Sequence, residues 1–285
     1  MMRGLVAFLA ALLLAACGEA ERNARAPSPA LWEVSDAEGH KGWLFGTVHA
    51  LPDGTEWQTP LLMAILEQTG VLVVEVSDLG QSDLATQAFS ALAVTPGLPP
   101  LLSRVPAADR PALAAALDRA DMDEAEFAST ESWAAALIIA NADRVGEVAN
   151  GVDRALLARG LPILSLESFA EQFAIFDQLA PEDQQVLLVE TAEDADPAEE
   201  RALIEAWAAG DDETLRREID SGFLTDPELR RALLDRRNRA WVEEVAPLLE
   251  EDHRPFVAVG AAHLLGPGGL PALLEARGFK VRRLQ

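Results

Sequence analysis

The sequence predicts a mixed α/β (α+β) domain built on a central, mostly buried β-sheet flanked by helices. Apolar, β-branched runs of strand length concentrate near the two ends of the chain, while segments with helical spacing fill a middle from about 82 to 250. The order strand, G-x-x-H, loop, helix, glycine, strand also occurs twice, first around His49 and again around His263. Two similar units therefore bracket the helical middle.

The first element is an export signal. Met1-Met2-Arg3 supplies a positive start, and residues 4–16 carry no charge, a core too short to span a bilayer as a lasting helix. Leu14-Ala15-Ala16-Cys17-Gly18 resembles the lipobox of a bacterial lipoprotein, which implies a signal peptide of residues 1–16 and a lipid attached to Cys17. The alternative is an ordinary cleaved signal with an incidental cysteine. Gly18 in place of an aspartate looks like the outer-membrane sorting pattern, so the expected location is a membrane anchor facing the periplasm. Cys17 is the only cysteine, which excludes an intrachain disulfide or a cysteine-cluster metal site. Residues 17–30, polar and turn-rich from about 19 to 29, read as a tether, and 31–285 as a single domain.

Cleavage before Cys17 leaves 285 − 16 = 269 residues, enough to bury a substantial core. The formal charge of -24 falls to -25 when Arg3 leaves with the signal. That balance repels nucleic acid phosphates and anionic lipid surfaces, so nucleic-acid binding is not expected.

Within the domain, residues 31–34 and 42–45 form a hairpin about the turn-like Asp36-Ala37-Glu38-Gly39. Thr59-Pro60 is a helix start for residues 61–67, Gly70 stops that helix, and residues 71–76 have the character of a buried strand. Helical spacing recurs over 84–92, 107–117, 124–140, 181–190 and 197–209, broken by proline- and aspartate-rich joints. Residues 152–159 read as a short helix ended by Gly160, with a strand over 161–166. A long helix starts at Asp226-Pro227-Glu228 and runs to about 246, where Pro247 disfavours extension. The acidic run 193–200 lacks the central glycine and alternating ligands of a calcium loop and reads as a solvated joint. Strand 256–259, the Gly260-Ala261-Ala262-His263 exit, helix 270–276, Gly278 and strand 279–281 close the chain.

Of four histidines, His40 and His253 lie in charged turns, whereas His49 and His263 each come three residues after a glycine at a strand exit. Glycines Gly46 and Gly260 let the backbone leave the sheet tightly and let a neighbour or ligand approach closely. If the two units lie side by side, both histidines reach the sheet edge where open α/β sheets bind ligands. Histidine there is a metal ligand or an acid–base group, or else a hydrogen-bonded loop residue. Glu75 ends a buried strand and needs a partner; it reads as a metal ligand, a general base or the mate of an arginine such as Arg237. Glu167 follows its strand in the same way. Asn238 gains nothing from a helix interior, so Arg237-Asn238 reads either as site-facing or as a surface pair.

There is no H-E-x-x-H helix, P-loop, dinucleotide fingerprint or G-x-S-x-G elbow. Instead, Gly46-Thr47-Val48-His49, Val73-Val74-Glu75-Val76, Gly151-Val152-Asp153, Leu166-Glu167 with Glu171-Gln172, Arg237-Asn238 and Gly260-Ala261-Ala262-His263 together resemble the TraB/GumN family. That family includes PrgY-like pheromone-shutdown proteins and is distantly similar to the Tiki metalloproteases of animals. The resemblance spans roughly residues 31–284. It implies an α/β domain with both G-x-x-H units near one cleft and, from the Tiki branch, a peptidase dependent on a divalent metal, manganese or cobalt. Carried onto this chain, His49, Glu75 and His263 would be metal ligands or groups acting on metal-bound water, and Glu167, Arg237 and Asn238 would line the site. Two histidines and a glutamate also suit zinc.

Two functional readings follow. One is a lipid-anchored, metal-dependent hydrolase acting on peptides, with the acidic surface favouring basic ones. The other is a non-catalytic envelope protein that binds a peptide or small molecule in the same cleft. They diverge on whether His49, Glu75 and His263 converge on one point.

Overall fold

The strand-forming runs come together from both ends of the chain. A computed structural model describes residues 26–193 and 197–285; the export signal, Cys17 and most of the tether lie outside the described residues, as do residues 194–196 of the acidic run. Six strands, β1 (Leu31–Ser35), β2 (Lys41–Thr47), β3 (Val71–Val74), β4 (Ile163–Ser165), β5 (Pro255–Gly260) and β6 (Lys280–Arg283), form one mixed sheet in the order β4-β3-β5-β2-β1-β6. Strands β2, β5, β3 and β4 are mutually parallel, and β1 runs antiparallel to β2 and β6.

The central strands are apolar on both faces because both are covered. Leu44, Val73, Val257 and Val259 point into one core, beneath the helices Arg236–Glu250 and Leu270–Ala276. Phe45, Leu72, Val74, Phe256 and Ala258 point into the other, beneath Pro60–Leu66, Val152–Leu157 and Pro197–Ala209. A third core, centred on Trp133, Leu188, Leu229 and Leu234, belongs to the helical middle.

The hairpin, the Thr59 cap with Pro60 in the first turn, and the paired end units form as the sequence predicts. Four boundaries differ. The run 71–76 pairs only through Val74, so Glu75 stands just past the strand end. The run 161–166 shortens to the half-exposed edge strand β4. The segment 124–140 splits into a 3-10 turn, Glu124–Phe127, and the helix Ser132–Asp143. The long helix begins as Pro227–Arg230, widens into a π-helical turn at Arg231–Asp235, and continues as Arg236–Glu250 with Pro247 inside it. That proline lies in the last turn, where the missing N–H forfeits one hydrogen bond and buried Leu249 still anchors the end. A π turn holds one residue more than an α turn and often marks a functional site; here it immediately precedes Arg237-Asn238.

Candidate functional site

Parallel pairing of β2 with β5 sets Gly46 beside Val259 and Thr47 beside Gly260, so the two G-x-x-H segments leave the sheet together. Strands β3 and β4 end at the same edge, and the Glu167 N–H donates to the Glu75 carbonyl at 2.8 Å. Four strand exits thus deliver His49, His263, Glu75 and Glu167 to one place. Gly46 is needed for the join between the two units, since a Cβ there would lie 3.0 Å from the Cα of Ala261. Gly260 faces the side chains themselves: a Cβ would lie 3.2 Å from Glu75 Oε1, 3.7 Å from the His263 ring and 4.0 Å from His49 Nε2.

Beyond the glycines the two exits diverge. After Gly260 the chain turns inward through the 3-10 turn Ala261–Leu264, and His263 is 4% exposed. After Gly46 the chain turns outward, and the His49 side chain is 66% exposed.

Arg237 joins three strand exits. Its Nε and Nη2 donate to the two oxygens of Glu167 at 2.9 and 2.8 Å, and Nη2 also donates to Glu75 Oε2 at 2.7 Å. Its Nη1 reaches His263 Nε2 at 3.0 Å and the Leu233 carbonyl at 3.1 Å. The guanidinium lies 4.6 Å over the Trp241 ring. Glu75 is completed by the Gly260 N–H, 2.7 Å from Oε1, and by Gln172 Nε2, 3.0 Å from Oε2.

Hydrogen-bond logic fixes the form of His263. The Gly268 carbonyl can only accept, so the Asn238 amide nitrogen faces it at 2.8 Å and the amide oxygen faces His263 Nδ1 at 2.6 Å. Nδ1 therefore carries the proton, and Nε2 is a lone pair that accepts from Arg237. Burial, the first cause, and the adjoining Arg237 and His49 charges lower the His263 pKa to about 3 against the pull of Glu75, so the ring is neutral at ordinary pH.

His49 has the opposite setting. Its Nδ1 lies 2.8 Å from Asp153 Oδ2, a carboxylate 5% exposed in the first turn of the helix Val152–Leu157. Desolvation lowers the His49 pKa, but the Asp153 hydrogen bond and charge, with the Glu75 charge, raise it more, to about 9. Solvent screens part of this, because two-thirds of the ring reaches water. Gly151 is essential to the approach: a Cβ there would lie 2.2 Å from the His49 carbonyl oxygen. For Glu75, burial raises the pKa, while His263, Arg237, His49 and the Gly260 N–H bring it down to about 2. With His263 neutral, Arg237 and the Gly260 N–H sustain that direction, and Glu75 is a carboxylate at neutral pH.

A family model described as the TraB/PrgY/gumN family matches residues 30–283. The chain belongs to this family. A search of curated proteins and a search of solved structures each returned no match to it. The match covers both G-x-x-H units and the helical middle between them, so the site lies wholly within the family's span.

The structure brings together every site residue expected from the domain sequence: His49, Glu75, Glu167, Arg237, Asn238 and His263. Asn238 is buried, not at the surface. Glu75 meets Arg237 rather than standing alone. Among the described residues no group of three or more His, Cys, Asp or Glu side chains is disposed to hold a metal ion. His49 Nε2 suits a ligand, since a carboxylate behind Nδ1 is the usual support of a metal-bound imidazole. The other two donors do not fit: the His263 lone pair and Glu75 Oε2 are taken by the Arg237 guanidinium. A cation already occupies the side of the cluster that a three-ligand metal would need.

Asp153, Gln172 and Trp241 complete the site without having been assigned roles from sequence. Asp153 and Gln172 stand inside family-like motifs, and Gly151 just before Asp153 was the available signal of a close backbone contact. Trp241, four residues after Arg237 on one helix face, looks like any core tryptophan.

Proposed function

We propose that this protein is a lipid-anchored hydrolase of the cell envelope that acts on peptides, with His49 and Asp153 as its acid–base pair. The observation that carries the reading is His49: Nδ1 is held by buried Asp153, and Nε2 is left facing Glu75 Oε1 across the side-chain-free Gly260. Asp153 fixes the tautomer and stabilises the imidazolium that forms when Nε2 takes a proton from water. Oε1 of Glu75, with one hydrogen bond to Gly260, retains accepting capacity toward the same water. Arg237 and neutral His263 hold Glu75 ionised and fixed, so they act as positioning residues. Peptides as substrates, the Cys17 anchor and an outer-membrane location facing the periplasm rest on the sequence resemblances.

A second reading keeps the divalent metal, manganese, cobalt or zinc, because the Asp153 support of His49 equally suits a ligand. The bonds of Arg237 to Glu75 and His263 count against a three-ligand site.

One experiment separates these readings: turnover of a quenched fluorescent peptide mixture by the purified protein, with and without chelator, beside His49→Gln and beside a metal analysis. Turnover that resists chelation and is lost in His49→Gln supports the His49–Asp153 reading. Turnover that needs a bound metal transfers the chemistry to the second reading. Peptide binding without turnover makes the chain a binding protein. Radiolabelled fatty acid incorporation, absent in Cys17→Ser, tests the anchor.

A further inference from the structure

A cavity of about 640 Å³ adjoins the proposed reaction centre and shares three of its side chains, Glu167, Arg237 and Trp241. This is the size of a small-ligand site. Its floor is apolar, formed by Leu166, Ile175, Leu179 and the Trp241 ring, and carboxylates stand around it. Most of these are already engaged: Glu167 by Arg237, Glu171 by the Ser168 N–H at 2.7 Å, and Glu228 by Arg231 at 2.5 Å. Asp183 and Glu244 are different, forming no ion pair among the described residues.

We propose that this cavity is a specificity subsite for a lysine or arginine side chain of the peptide substrate, with Asp183 and Glu244 receiving its charged end. The proposal rests on the reading of the site as a peptide hydrolase and names what that site selects. A long basic side chain has an apolar stem and a cationic tip, which matches an aliphatic floor below unpaired carboxylates. Two further facts agree. Burial and neighbouring carboxylates raise the pKa of both groups, Asp183 next to Asp226 and Glu228, and Glu244 next to Glu171 and Glu167. Negative charge there is thus under-compensated within the protein and would be relieved by a bound cation. The walls shared with Glu167 and Arg237 also put the subsite next to His49 and Glu75, within the span of one peptide. Arg236, exposed on the rim, discourages an acidic side chain less than it is outweighed by the carboxylates lining the interior.

Three end-blocked pentapeptides with central arginine, norleucine or glutamate test this against the full chain, with binding read by calorimetry and cleavage read separately by mass spectrometry. The expected order is arginine over norleucine by about tenfold or more, with glutamate weakest. In Asp183→Asn, Glu244→Gln the arginine advantage falls to within about twofold while norleucine binding holds, and an unchanged melting curve shows the fold intact. Equal binding of arginine and norleucine, no binding of the arginine peptide at millimolar concentration, or an advantage that survives the double variant overturns the subsite. Cleavage without charge preference removes the subsite and leaves the hydrolase; selective binding without cleavage removes the hydrolase and leaves the subsite.

Discussion

The two G-x-x-H exits begin alike and end as opposites. Both histidines follow a glycine by three residues at the ends of paired parallel strands. His263 turns inward, is neutral, and has both ring nitrogens committed to Asn238 and Arg237. His49 turns outward, has one nitrogen held by Asp153, and keeps the other for whatever enters. A repeated motif thus supplies one histidine that builds the wall and one that does the work. The division arises from what each exit meets, a 3-10 turn on one side and the Gly151-Val152-Asp153 segment on the other.

The comparison breaks most visibly in activity. In His49→Gln, kcat/KM on a cleaved peptide should fall about 10²- to 10⁴-fold, the usual worth of a general base. Its stability in urea should change by less than ~0.5 kcal/mol, since the ring is exposed. A comparable activity loss caused by unfolding would erase the distinction. The inward side should fail in the reverse manner. Replacing Arg237 with Met leaves Glu75 and Glu167 buried together without their cation, and urea unfolding should show a loss of about 3–5 kcal/mol; Lys should rescue little, as it lacks the planar fork. His263→Leu should cost a smaller ~1–3 kcal/mol, because the Asn238 oxygen loses its donor and Arg237 an acceptor.

Titration sharpens the contrast further. His49 is active as a base only when deprotonated, and its pKa is raised, so kcat/KM should climb with pH through a midpoint above the ordinary histidine value. Asp153→Asn should move that midpoint to lower pH; a profile indifferent to Asp153 would detach the pair from the chemistry. His263 works in the other direction. Its folded pKa, about 3, lies below the unfolded value, so the unfolded chain binds more protons between roughly 6.5 and 3, and stability should decline as pH falls through that window. His263→Leu, less stable at neutral pH, should show a shallower decline in urea midpoints from pH 6.5 to 4.

Much of this was legible before the coordinates. Alternation and β-branching located the strands, and the doubled motif implied that β2 and β5 are neighbours. The sheet-edge meeting of His49, Glu75, Glu167 and His263 followed from strand exits alone. The divergence of the two histidines did not, because it depends on Asp153 and Asn238, each about a hundred or twenty-five residues from its partner. The helix Phe169–Asp177, which presents Gln172 to Glu75, was also missed, although Ser168 and Glu171 form a capping box whose S-x-x-E pattern stands in the sequence. The pairing of Arg237 with both carboxylates and His263 was the least legible feature. Charge composition says that a buried glutamate needs a partner, but only packing says that one guanidinium serves two of them.

The π turn at Arg231–Asp235 carries a consequence for how this family tolerates insertions and deletions. It accommodates one residue beyond the α-helical count, just ahead of the pair that faces the sheet edge. Removing a single residue from it would let the helix wind normally and rotate the preceding segment against the following one by about 100°. Either Arg237 and Asn238 would swing away from Glu75 and His263, or Leu229 would leave the helical core. Length in this stretch is therefore constrained more tightly than residue identity, and a one-residue deletion there should do more harm than most substitutions along its exposed face.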